Sequence, residues 1–253
     1  MTSRRILYIE PTRHDPVKQE RLATYLRKYA APGTELSVVG LEQGTAHLEY
    51  HAYAAASLPE ILCKIQDAEQ SGFDAAIIGC FYDPGLREAR EVAVRMPVTA
   101  PAESALHLAA LLGHRFSILV GRRKWIPAME ENVRRYGFAD RLASFRPIGM
   151  GVLDFRRDPE ETGRRLLSAA RSAIEEDGAE VIILGCTMQL GFFQQLQESL
   201  GVPVIDVAVA ALKHAEMLSE VRAWGWTPSK IGGYETPPEH ELACWGLRNQ
   251  AKE

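Results

Sequence analysis

The chain has 253 residues, of which 46% are hydrophobic and 25% charged, with a formal net charge of −4. That length holds one large α/β domain or two small lobes, and the slight acidic surplus argues against a nucleic-acid partner, because no basic excess is present to neutralise phosphates. Met1-Thr-Ser-Arg-Arg leads directly into a short Ile6-Leu-Tyr-Ile9 rather than a secretory apolar region, and His107 and Lys213 interrupt the most apolar helices, which excludes a membrane span and makes the cytoplasm the default location.

Short apolar runs alternate with longer helical patterns along the whole chain. Strands are predicted over 5–10, 35–40, 75–80, 97–100, 116–121, 144–150, 181–186 and 202–206. Helices are predicted over 15–30, 54–71, 84–95, 102–113, 125–136, 159–177, 188–199 and 207–223. Ala75-Ala-Ile-Ile and Val181-Ile-Ile-Leu do not alternate with polar residues, so they suit strands covered on both faces, as in parallel sheets flanked by helices. Asp83-Pro84 and Asp158-Pro159 read as N-cap followed by first helical residue. Gly72, Gly113, Gly178 and Gly201 fall where helices should stop. Arg122-Arg123-Lys124 reads as a solvated loop or helix start. The tail 226–253 changes character, with Gly232-Gly233 and Pro237-Pro238, and would wrap the surface or pack on a neighbour.

Two cysteines lie in near-duplicate settings 106 residues apart: Gly72-Phe-Asp-Ala-Ala-Ile-Ile-Gly-Cys80 and Gly178-Ala-Glu-Val-Ile-Ile-Leu-Gly-Cys186. Pro97 and Pro203 repeat the same spacing. The expected fold is therefore α/β, with two pseudo-symmetric lobes, each a mainly parallel sheet flanked by helices, and an active site in the cleft between them. Residues 1–98 plus 208–253 would form one lobe, carrying Cys80, and 99–207 the other, carrying Cys186.

In parallel α/β sheets ligands bind beyond the carboxyl ends of the strands, where both cysteines are expected. A helix starting just after each would offer N–H groups and lower the thiol pKa. Two opposed thiols can carry a proton from one face of a carbon to the other. A lone cysteine at a strand end is ordinary packing, and Cys63 and Cys244 keep that reading. The four cysteines lack zinc-site or Cys-x-x-Cys spacing, and no glycine-rich dinucleotide fingerprint follows the first strand. No metal and no organic cofactor are expected.

Cys80-Phe-Tyr-Asp-Pro-Gly-Leu86 resembles the first cysteine motif of hydantoin and allantoin racemases, within the aspartate/glutamate racemase superfamily, and 175–186 resembles the second. Further similar stretches are Pro101-Ala-Glu-Ser-Ala-Leu-His107, 111–117, Val202-Pro-Val-Ile-Asp206 and Ser229-Lys-Ile-Gly-Gly-Tyr234. The resemblance implies a cofactor-free enzyme in which Cys80 and Cys186 flank an acidic Cα–H of a small-molecule substrate. One thiolate removes the proton and the other thiol supplies one to the opposite face. It also implies a homo-oligomer, and a substrate shell containing Glu10, Thr12, Phe81, Tyr82, Thr187 and Met188.

The chain departs from the family at several points. Glu10-Pro-Thr-Arg-His14 stands where hydantoin racemases usually have Asn-Pro-Asn-Thr, a loop that lines their substrate site. Glu10 there would repel a carboxylate and welcome an N–H donor such as an imide, ureido or ammonium group. It could equally be a base, or a strand-end carboxylate paired with a neighbour such as Arg13. Tyr82 replaces a small acidic residue common after Cys-Phe, Thr99-Ala-Pro-Ala-Glu103 replaces Gly-Ile-Gly-Glu, Gly121 replaces a Thr, and Thr187-Met188 replaces Ala-Gly.

The leading reading is a racemase or epimerase acting next to a carbonyl in a hydantoin-like or ureido substrate. The alternatives are another Cys-dependent reaction (maleate isomerase-like, arylmalonate decarboxylase-like, or a Glu10-assisted hydrolase) and a non-catalytic small-molecule binding protein.

Overall fold

The computed structural model describes residues 3–244. The chain divides into two compact units: residues up to 79 with Pro84–Ala100 and the segment from Leu212 onward, and Cys80–Asp83 with Pro101–Ala211. The short segment that carries Cys80 thus packs with the second unit, whereas the strand that leads into it belongs to the first.

The first unit contains β1 (Arg4–Arg13), α1 (Pro16–Arg27), β2 (Thr34–Leu41), α2 (His51–Gln70), β3 (Ala75–Ile78), α3 (Leu86–Val92) and β4 (Val98–Thr99). Its strands are all parallel, in the order β2-β1-β3-β4. β3 is buried along its whole length, as its unbroken apolar run requires. Asp15 starts α1 by accepting the N–H groups of Val17 and Lys18, with Pro16 in the first turn.

The second unit contains α4 (Pro101–Leu112), β5 (Phe116–Val120), α5 (Ile126–Arg135), β6 (Leu142–Pro147), α6 (Pro159–Glu175), β7 (Val181–Leu184), α7 (Phe193–Leu200) and β8 (Val204–Asp206). Its sheet is also all parallel, in the order β6-β5-β7-β8, which repeats the order of the first. α6 begins at the expected Asp158 cap, whose side chain accepts the Glu161 N–H. α8 (Val207–Arg222) follows β8, and α9 (Glu239–Cys244) closes the described chain.

The repeat is one of register as well as order. Ala76 pairs with Val98 in the first sheet, and Ile182 with Val204 in the second, each pair 106 positions from its counterpart. Ala76 N–H donates to Pro97 O and Ile182 N–H to Pro203 O, which gives the repeated prolines one role: entry to the edge strand.

Two helix expectations are corrected. The helix expected over 84–95 runs only from Leu86 to Val92, and its N-cap is Gly85 in the left-handed region (φ 71°), not Asp83. The helix expected over 188–199 is replaced by a 3₁₀ turn at Thr187–Gln189 and then α7, because Gly191 (φ 87°) breaks the chain direction between them. The C-terminal segment packs on α3: Lys230 Nζ donates to the carbonyls of Arg90 and Glu91, and the Arg90 guanidinium lies 5.7 Å from the Tyr234 ring centroid. Residues 245–253 and the Cys244 side chain, included in the sequence reading of the tail, lie outside the described residues.

Candidate active site

Each candidate cysteine follows a glycine that closes a strand. Gly79 N–H donates to Ile9 O, and Gly185 N–H to Leu119 O, both at 2.8 Å. Neither glycine has room for a side chain. A Cβ at Gly79 would enter the Tyr8 ring, and one at Gly185 would meet Ile118 Cγ2 and Leu119 O at 2.8 Å. The Gly-Cys pairing is therefore a packing requirement of the neighbouring strand, which brings the cysteine backbone close against the sheet end.

The chain then closes a turn with the same backbone hydrogen bond twice. Asp83 N–H donates to Cys80 O at 2.9 Å, and Gln189 N–H to Cys186 O at 3.0 Å. Two residues later Gly85 and Gly191 both take positive φ. The echo of 106 residues thus extends through the turn, pairing Asp83 with Gln189 and Gly85 with Gly191. The signal for it in the sequence is a glycine five residues after each cysteine. Neither cysteine sits at the N-terminus of an α-helix: α3 begins at Leu86, and Cys186 precedes only the 3₁₀ turn. The helix-dipole account of thiol activation is corrected accordingly. Neither cysteine is in a disulfide and both are partly buried, as is Cys63 within α2, whose pKa burial pushes up.

Asp83 is the residue the sequence misplaced. It has φ 49°, is buried, and caps α4 rather than its own helix. Its Oδ1 accepts the Ala102 N–H at 2.8 Å, and its Oδ2 accepts the Glu103 N–H at 2.9 Å and the Tyr136 hydroxyl at 2.9 Å. Asn132 donates to the Tyr82 carbonyl at 2.8 Å. Burial pushes the Asp83 carboxyl up to about 7, against the opposing effect of the two N–H groups and the Tyr136 hydroxyl, and the Glu103 charge adds to the rise. In the second copy the corresponding N–H groups, Ala208 and Val209, are capped by Asp206 Oδ1 at 3.0 and 3.2 Å. Asp206 Oδ2 takes the Gly191 N–H of the Cys186 turn at 3.3 Å.

Phe81 is a core residue with 3% of its surface exposed, and Tyr82, Cys186 and Met188 pack against the same core from partly exposed positions. Thr187 is likewise half-buried. Gly121 has a local reason as well: a Cβ there would meet the Trp125 ring and Met150 O at 2.5 Å, so the indole fills the space a side chain would need.

Glu10 and Thr12 lie together at the carboxyl end of β1, within the stretch between Ile9 and Arg13 where its register with β2 shifts. Both are buried. The partner of Glu10 is Lys18 on α1, not Arg13, which is exposed. Lys18 Nζ forms an ion pair with Glu10 Oε1 and donates to Thr12 Oγ1 at 3.2 Å. Glu10 Oε2 is buried with no hydrogen-bond partner, which leaves one acceptor for an N–H donor. Lys18 was not anticipated, because only the packing of α1 against the sheet brings it to the strand end. Among the described residues no group of three His, Cys, Asp or Glu side chains is placed to hold a metal ion, and no helix is long and apolar enough to cross a membrane.

Residues 19–215 match the family described as Asp/Glu/Hydantoin racemase. The chain is 38% identical over 212 residues to a hydantoin racemase of Pseudomonas sp. (strain NS671), covering 84% of each chain. It is 36% identical over 238 residues to a hydantoin racemase of Paenarthrobacter aurescens, covering 94% of this chain and 99% of that one. Among solved structures it is similar to an allantoin racemase from Klebsiella pneumoniae, with a TM-score of 0.86 and 33% identity over 94% of this chain and 95% of that chain. The chain belongs to the Asp/Glu/hydantoin racemase family and is an isomerase of the racemase type.

Proposed function

We propose that the protein is a cofactor-independent racemase or epimerase that uses Cys80 and Cys186 for two-base proton transfer at a carbon next to a carbonyl. The observation that carries this reading is the repeated Gly-Cys turn, with the same sheet register and the same closing hydrogen bond in both copies. In each turnover one thiolate takes the Cα proton, and the electron pair passes to the carbonyl oxygen. The other thiol then gives its proton to the opposite face, and the two sulfurs have exchanged protonation states.

The substrate class is hydantoin-like or ureido. The names of relatives at 36–38% identity support it, as does the unpartnered Oε2 of Glu10, which suits a ring or ureido N–H. Thr12, Tyr82, Thr187 and Met188 complete the substrate shell, with Phe81 backing it from the core. The enzyme works in the cytoplasm, where thiols stay reduced. It works as a homo-oligomer, a reading supported by the exposed Leu111, Leu112, Trp224 and Trp226.

The test is solvent deuterium exchange across 5-substituted hydantoins, allantoin and acidic amino acids. Exchange with inversion on a hydantoin or on allantoin is expected. Product formation without inversion would favour a different Cys-dependent reaction, and binding without exchange would favour a non-catalytic role.

A further inference from the structure

Each cysteine turn is joined to the first turn of a helix by one buried carboxylate, and the two copies build that joint from opposite sides. In the first copy the carboxylate stands on the turn itself. Asp83, three residues after Cys80, reaches across to the N–H groups of Ala102 and Glu103 at the start of α4. The strand-end position that would normally cap this helix is Ala100, which has no acceptor on its side chain. In the second copy the counterpart of Ala100 is Asp206. It caps Ala208 and Val209 locally and reaches back to Gly191 in the cysteine turn. The capped N–H groups, 102 and 103 against 208 and 209, correspond one to one at the 106-residue spacing. The counterpart of Asp83 is Gln189, fully buried, whose side-chain amide has no hydrogen-bond partner.

We propose that Asp83 and Asp206 are positioning residues for the two thiols, Asp83 for Cys80 and Asp206 for Cys186. The two carboxylates occupy different places in the repeat and complete the same joint. Capping alone would need no contact with a cysteine turn, yet both make one. On the first side the Tyr136 hydroxyl and the Asn132 amide add two further ties, to Asp83 and to the Tyr82 carbonyl. On the second the Gly191 N–H donates to Asp206, and the Arg156 guanidinium donates to the Leu190 carbonyl at 2.8 Å. The proposal rests on the reading that these two cysteines are the reacting groups.

The experiment pairs racemisation kinetics with the alkylation rate of each cysteine by iodoacetamide, resolved by peptide mass spectrometry. For Asp83→Asn, kcat is expected to fall by about 10²-fold with KM changed less than about threefold, while the alkylation rate of Cys80 changes more than about fivefold and that of Cys186 stays within about twofold. Asp206→Asn should give the reciprocal pattern. Tyr136→Phe keeps both helix caps and should shift Cys80 alone, by less; it decides the matter if Asp83→Asn does not fold. Unchanged alkylation at Cys80 in folded Asp83→Asn or Tyr136→Phe, or equal changes at both cysteines, overturns the assignment. The alkylation readout is independent of the reaction. Racemisation surviving in Cys80→Ser and Cys186→Ser would instead sink the two-base reading on which the assignment rests.

Discussion

Asp83 and Gln189 hold the same place in two copies of one turn, each donating its backbone N–H to the carbonyl of a cysteine three residues earlier, yet only the aspartate caps a helix. The closing hydrogen bond repeats, but the backbone is left-handed at Asp83 (φ 49°) and lies in a 3₁₀ turn at Gln189, and the bracing side chains stand at different places in the repeat. The two thiols therefore stand on similar turns with different supports, which makes them separable by mutation.

Replacing Cys80 or Cys186 by Ser is expected to lower racemisation by roughly 10²–10⁴-fold in each case, because each thiol serves one face of the carbon. Each single variant should still exchange the Cα proton of one enantiomer without inverting it. Chiral chromatography combined with proton NMR in deuterium oxide reads both outcomes. Undiminished racemisation in Cys80→Ser would remove the two-base mechanism.

Glu10→Asn removes the charge and introduces the residue usual in hydantoin racemases. The native substrate should bind more weakly, and carboxylate-bearing or simple hydantoin substrates should turn over faster. Lys18→Met leaves the buried carboxylate without its counter-charge and should cost about 3–5 kcal/mol of stability, much of which Glu10→Gln in the same chain should restore. Urea unfolding of the two single variants and the double variant measures this coupling. Identical kinetics for Glu10→Asn on every substrate would reduce Glu10 to a structural carboxylate.

Asp83 should make stability fall as pH rises. Its ordinary value is 3.8 and burial raises it to about 7 in the folded protein. Between those values the folded chain holds a proton that the unfolded chain releases. Its contribution is complete below pH 3.8 and is lost as pH climbs through about 7, an effect on the order of 4 kcal/mol. The charged and titratable groups acting on it are Glu103 on α4 and Tyr136 at the end of α5. Thermal unfolding from pH 4 to 8 should slope downward in the wild type more steeply than in Asp83→Asn; parallel curves would contradict the raised value.

Gln189 is wholly buried, with neither amide atom hydrogen-bonded. Replacement by the similarly sized Met removes the cost of an unsatisfied polar group, about 1–3 kcal/mol, and should raise Tm by several degrees. A lower Tm in calorimetry would mean that the amide contributes something an apolar side chain cannot.

Activity should survive exhaustive chelation and be lost to thiol alkylation, since the cysteine spacing suits proton transfer rather than metal ligation. Loss on chelation that added metal restores would overturn this.

The amino-acid sequence determined the alternation of strands and helices, the two parallel sheets and the correspondence of Cys80 and Cys186 within the repeat. Those features follow from local apolar runs and from a repeat along the chain, both of which survive in one dimension. It did not reveal that Asp83 caps a helix beginning eighteen residues further on, that Lys18 rather than Arg13 neutralises Glu10, or that Tyr8 forbids a side chain at Gly79. Hydrogen bonds, ion pairs and steric exclusion act over a few ångströms between atoms whose separation in sequence carries no information about their separation in space. Asp83 has in its own Pro84-Gly85 an adjacent helix start that local rules assign to it. The left-handed turn at Asp83 and Gly85 points the carboxylate elsewhere, and only the packing of Cys80–Asp83 against α4 supplied its true partners.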